Sequence, residues 1–166
     1  MNKKNTEIIN QFKLLPHPEG GWFREILRSE SYVTRKDGKK RNSITGIYFM
    51  LCENEISTWH RVNSADEIWI YLKGAPLNLW CLDAGNEELR KLRLDLNNPI
   101  EMIPSGYWQA AKSCGEFTLA SCCVGPGFDF SDFEMIPSGY WQAASSTGEF
   151  TLISCCVGHG FDFNDF

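Results

Sequence analysis

The sequence has no apolar run near the roughly 18 residues of a membrane span, so no membrane partner is expected. The segment Met1-Asn2-Lys3-Lys4-Asn5 leads into no apolar signal core, and no secretory address is read from it. Positive charge is also scarce. Sixteen Lys and Arg stand against twenty-one Asp and Glu, giving a net charge of −5 and an isoelectric point near 5.2. A field of that sign does not attract nucleic acid. One basic run, Arg35-Lys36-Asp37-Gly38-Lys39-Lys40-Arg41, reads as a solvated loop. The seven Cys form no Cys-x-x-Cys pair, and an odd number suits no closed disulfide framework. The thiols read as small core residues in a reducing, cytoplasmic compartment. There is no Gly-x-Ser-x-Gly, and Gly20-Gly21 opens no phosphate loop. Cys122 and Cys123 have no adjacent His to activate a thiolate.

What is abundant is ring and turn chemistry. Among 166 residues there are eleven Phe, six Trp and five Tyr, with fourteen Gly and seven Pro. A chain that is 43% hydrophobic at this length buries one core and reads as one domain. A helix is expected over residues 6–15, capped by Asn5 or Thr6 and stopped by Pro16. Nine short strands follow between turn signals: 22–28, 43–51, 55–62, 67–73, 77–82, 89–93, 100–103, 107–111 and 116–124. Such spacing predicts a β-sandwich or barrel.

Residues 101–133 and 134–166 differ at five of thirty-three positions. A solenoid needs about three or more units with altered caps, so this is a duplicated C-terminal piece. The body is then residues 1–133, with a spare copy at 134–166. The first copy reaches its place without a detour. Using the second would leave a 33-residue loop and put Ile153 where Ala120 stands, costing about 3 and about 1–3 kcal/mol. The first copy is therefore expected to complete the barrel, and the second to form an added hairpin or a swapped segment.

Chemistry is expected around His60. Pairing Val62 with Glu67 across Asn63-Ser64-Ala65-Asp66 puts His60, Val62, Glu67, Trp69 and Tyr71 on one face. The opposite face, with Trp59, Ile68, Ile70 and Leu72, is apolar and calls for a covering sheet or partner chain. A His–Glu pair serves as a general base with its orienting group, or as two metal ligands. The plainer alternative is a structural His inside a sheet.

The frame Pro18-Glu19-Gly20-Gly21-Trp22-Phe23-Arg24-Glu25, Trp59-His60-Arg61-Val62, Asp66-Glu67, Gly74, Pro104-Ser105-Gly106-Tyr107-Trp108-Gln109-Ala110-Ala111 and Pro126-Gly127-Phe128-Asp129-Phe130 resembles the cupin branch long filed as a domain of unknown function. The likeness runs over roughly residues 16–133. It implies an all-β double-stranded β-helix, or jelly-roll barrel, with a short N-terminal helix, usually as a homodimer. Relatives of that fold include sugar-nucleotide epimerases, sugar-phosphate isomerases and storage or hormone-binding proteins. The family's metal set is three His and one Glu. Here Val62 and Gln109 stand in two of the His positions, and Ile70 is aliphatic where a polar residue is expected. No cofactor is therefore expected, with His60, Glu67 and Gln109 as weak candidates for a divalent metal.

Strand parity and the resemblance together nominate ligand-binding residues. Arg24 and Arg61 are anion anchors, or salt-bridge partners of Glu19, Glu25 or Asp66. Tyr48, Trp69, Tyr71 and Trp108 are stacking rings, or plain core, and Gln109 is a hydrogen-bonder. The sequence reading is thus a cytoplasmic protein binding a small polar or anionic metabolite, such as a sugar phosphate or nucleotide sugar. His60 and Glu67 would move a proton as in an isomerase or epimerase. The alternatives are a non-catalytic binding or storage module and, behind it, a metal-dependent dioxygenase-like protein.

Overall fold

The computed structural model describes residues 2–136. Helix α1 spans Lys3–Phe12. It begins earlier than the sequence suggests because the Asn2 side chain accepts from the Asn5 amide at 2.8 Å. It ends where Lys13 turns left-handed at φ 52°, before Pro16 is reached. Thirteen strands follow: β1 (Leu15–Pro16), β2 (Trp22–Arg28), β3 (Tyr32–Thr34), β4 (Lys40–Asn42), β5 (Thr45–Cys52), β6 (Ile56–Val62), β7 (Asp66–Gly74), β8 (Leu77–Asp83), β9 (Glu88–Leu94), β10 (Ile100–Ile103), β11 (Trp108–Ser113), β12 (Phe117–Gly125) and β13 (Phe133–Met135).

Two antiparallel sheets face each other. The larger runs β1-β2-β5-β12-β7-β10 and the smaller β13-β6-β11-β8-β9, while β3 and β4 form a separate hairpin. This is the jelly-roll barrel. Its closed end is filled by Phe49, Leu51 and Trp69 from the larger sheet against Leu77, Leu79 and Ala111 from the smaller. Helix α1 lays Ile8 and Ile9 over Met50, Phe117 and Leu119 on the other side of the larger sheet. Trp59, Trp80, Leu82 and Ala110 form a third cluster with Trp108 and Ile136. Of the five Cys among the described residues, Cys52, Cys81 and Cys122 are buried, Cys123 is half-buried and Cys114 is exposed. Among the described residues no helix is long and apolar enough to cross a membrane.

The first repeat copy supplies all of β10 but Ile100, and the whole of β11 and β12. Strand β12 lies between β5 and β7, and β11 between β6 and β8. The second copy starts on the neighbouring sheet, with Glu134 opposite Arg61 and Met135 opposite His60. The hairpin or swapped segment expected beyond Ile136 lies outside the described residues.

Two local expectations change. Strands β6 and β7 do not pair with each other. Ser64 adopts a φ of 62°, and the Asn63 amide donates to the Asp132 carbonyl. The connection thus turns the chain from one sheet to the other, leaving β6 against β11 and β13, and β7 against β12 and β10. The basic run 35–41 is also no free loop. It connects and includes part of the β3–β4 hairpin. Arg35 and Arg41 both donate to Asp132 at 2.8 Å, and the Arg35 and Asp132 side chains are each 6% exposed. This clamp ties the hairpin to the short 3-10 helix Phe130–Asp132 beside the barrel's open end.

Candidate functional site

The open end of the barrel holds a cavity of about 320 Å³. Its floor is built by three segments. Strand β6 delivers His60, β7 delivers Glu67, and the turn between β1 and β2 delivers Glu19. That turn depends on two glycines. Gly20 and Gly21 sit at φ 104° and 72°, and a Cβ on Gly20 would lie 2.3 Å from the Ile56 carbonyl oxygen. The close approach lets the Thr58 amide and hydroxyl both donate to the Glu19 carbonyl. Glu19 is thereby held against β6 with its carboxyl buried in the interior.

Strand β6 carries a bulge there. Gln109 pairs with His60 and Ala111 with Ser57, so Thr58 and Trp59 of β6 stand opposite the single residue Ala110 of β11. Ser57 and His60 therefore both reach Glu19. The Ser57 hydroxyl donates to Glu19 Oε1 at 2.8 Å, and His60 Nε2 lies 3.2 Å from Oε2.

The partners fix the proton positions. His60 Nδ1 is 2.7 Å from the Thr58 carbonyl, which only accepts, so Nδ1 carries the hydrogen. Burial lowers the His60 pKa below the ordinary histidine value, leaving a neutral ring with its Nε2 lone pair towards Glu19. Burial raises the Glu19 carboxyl to about 8, which keeps it protonated at neutral pH. His17 Nδ1 accepts from the Glu19 amide at 3.3 Å and lies 3.5 Å from Oε2. Burial, with the neighbouring His60, lowers His17 to about 4.

Glu67 is raised by burial as well, against the neighbouring His60 and the Gln109 hydrogen bond, which lower it. Its Oε2 accepts from Gln109 Nε2 at 2.6 Å, while Gln109 Oε1 accepts from Trp69 Nε1 at 2.9 Å. The Cys122 thiol lines the same cavity and is pushed well up by burial, with the charge of Glu67 acting in the same direction. It is a buried thiol, not a nucleophile. The walls are aromatic. Phe133 lies 5.4 Å from the His60 ring, Phe23 lies 4.5 Å from His17, and Phe128 and Phe130 meet edge to face beyond them at 5.0 Å. At the mouth Arg28 is clasped by Glu25 at 2.9 and 2.7 Å, with a third bond to Asn42 at 3.0 Å.

Of the residues nominated from sequence, the cavity unites His60 and Glu67, with Gln109 and Trp69 bonded in series behind Glu67. The other five lie elsewhere. Phe23 and Glu25 take the cavity face of β2, so Arg24 points the other way, 5.7 Å from the Tyr48 ring. Tyr48 in turn meets Phe12 of α1 at 5.1 Å. Arg61 stacks 4.7 Å over Trp108 and bonds Glu134 at 2.9 and 2.6 Å, rather than Glu19, Glu25 or Asp66. The Tyr71 hydroxyl donates to the Gly74 carbonyl at 2.5 Å. Sequence reasoning passed over Glu19, His17 and Ser57. The Glu-Gly-Gly triplet carried the signal for Glu19, since paired glycines after an acid mark a backbone pressed against a neighbour.

The same residues test the metal of the wider fold. Val62 lines the cavity where a second imidazole would be needed. Gln109 is occupied at both ends, and among the described residues no three His, Cys, Asp or Glu side chains gather in a way that could hold an ion.

Comparison with known proteins agrees with this architecture. An uncharacterized protein of Saccharomyces cerevisiae is 29% identical over 145 residues, spanning 76% of this chain and 72% of its own length. A hypothetical protein from Leishmania major superposes with a TM-score of 0.76 at 27% identity, covering 90% of this chain and 96% of that one. A Shewanella oneidensis protein gives 0.72 at 31% identity, covering 86% and 89%. More distant structures, including Staphylococcus aureus CapF at 12% identity and a Bacillus subtilis oxalate decarboxylase variant at 13%, share the fold alone. The family model described as Cupin superfamily (DUF985) matches residues 6–136 and again 135–166. With its barrel, its strand order and that match over most of its length, the chain belongs to the cupin superfamily, in the DUF985 family.

Proposed function

We propose that the cavity binds a small polar metabolite and moves a proton on it, as in an isomerase or epimerase. The supporting observation is the neutral His60 ring, with its Nε2 lone pair 3.2 Å from a carboxyl kept protonated at neutral pH. Abstraction of a proton next to a carbonyl needs a neutral base and a donor for the enolate oxygen. His60 is the base: a ligand oxygen that takes over the Glu19 hydrogen bond frees Nε2, which then takes the carbon-bound proton. The protonated Glu19 carboxyl donates to the oxygen on which charge develops, with Glu67 and Gln109 beside it, and return of the proton from His60 Nε2 to the neighbouring carbon completes the exchange. The phenyl walls exclude water and orient the occupant. Neither Arg24 nor Arg61 lines the cavity, so this reading places no phosphate group at its floor.

Thermal-shift screening of sugars, sugar phosphates, nucleotide sugars and organic acids identifies the occupant class. Solvent deuterium then enters the bound ligand in the native protein. In His60→Ala the exchange falls by about 10²–10⁴-fold. Binding with no exchange in the native protein would overturn the catalytic half of the proposal and leave a binding module.

A further inference from the structure

The charges around the cavity discriminate between occupants. Glu19, Glu67, Glu25 and Asp129 line it, against one basic side chain, Arg28. That guanidinium is already clasped by Glu25 and Asn42. Both floor histidines are neutral, for the reasons given above. An anion entering here would find no free countercharge and two carboxyl groups beneath it. The remaining wall carries five Phe rings beside Ile47, Val62 and Val124, and aromatic ring faces attract cations through their quadrupoles. Neither buried carboxyl has a cationic partner, and an ammonium group is the counterion that lets one of them ionise there.

Resting on the reading of this cavity as a small-molecule site, we propose that its occupant carries a protonated amine, seated on Glu19 and Glu67 inside the Phe23, Phe49 and Phe133 rings. The ammonium donates to oxygens of both groups and one carboxyl proton leaves to solvent while the other stays, so charge is conserved at the floor and one carboxyl remains a donor. The burial that holds Glu19 up near 8 agrees with this: the site keeps a proton until a cation replaces it. The distances also fit, because His17 and His60 both approach Glu19 Oε2 without neutralising it as cations.

Three matched probes decide the matter: benzylamine, benzyl alcohol and benzoate, titrated calorimetrically into the full chain at pH 7. Benzylamine is expected to bind at least about tenfold more tightly than benzoate. Its binding should release protons, seen as a heat that changes between buffers of different ionisation enthalpy. In Glu19→Gln or Glu67→Gln that preference falls by about tenfold, while benzyl alcohol is little affected. Should either variant fold poorly, the order of the three probes on the native chain decides. Benzoate or benzyl alcohol binding more tightly than benzylamine overturns the amine assignment and leaves the ligand cavity standing. Binding of none at millimolar concentration overturns both.

Discussion

Glu19 departs from ordinary carboxylate behaviour because folding takes it out of water without giving it a cation. Its raised value makes the folded state hold a proton that the unfolded chain releases above about pH 4.5. Stability therefore falls as pH rises from there to about 8, at about 1.4 kcal/mol per unit from this group alone. Glu67 acts in the same direction. His17, lowered to about 4, has the opposite slope between pH 4 and 6.5, so the loss shows most clearly from 6.5 to 8. Urea unfolding across that window should show the decline, and Glu19→Gln should flatten it. A slope unchanged in Glu19→Gln would mean that the carboxyl is ionised in the fold. Behind the floor, Gln109→Ala strips the Trp69 indole N–H of its acceptor and Glu67 of a donor. Each orphaned group costs about 1–3 kcal/mol, readable as a lower urea midpoint.

Strands, turns and the bulge decide which side chains meet. Gly20→Ala should cost about 1–3 kcal/mol, because a Cβ there meets the Ile56 carbonyl and the residue must keep a positive φ. The same change should weaken ligand binding by displacing Glu19, a loss that a purely distant destabilisation would not produce. The strands themselves were legible in sequence: Trp22–Arg28 and Ile100–Ile103 fall where alternation and turn residues put them. So was the inward direction of His60 and Glu67, since both parities survive when the two strands belong to facing sheets. Their pairing was not legible, because a four-residue turn signal does not say whether the chain folds back or crosses. Ser57 was hidden by the bulge, which breaks the two-residue period three residues before His60. Arg24 and Tyr48 were misplaced because β2 offers a charged residue to each face, and only its pairing with β5 shows which one looks inward.

The whole chain carries a repeated segment, and the first copy already supplies three barrel strands. Truncation after Phe133 should therefore leave a cooperatively unfolding β protein by circular dichroism and thermal melting. Failure of that shortened chain to fold would show that residues beyond 133 complete the barrel. Ile68, Leu72, Ile100 and Met102 form an exposed strip on the larger sheet, 37–60% accessible. A second copy covering it predicts a dimer in sedimentation and a monomer for Ile68→Lys. Phe133, finally, is both the last residue of the first copy and the ring beside His60. The seam of the duplication thus runs along the wall of the chamber. A junction falling one position sooner would have offered Glu134 to the imidazole in place of a phenyl group.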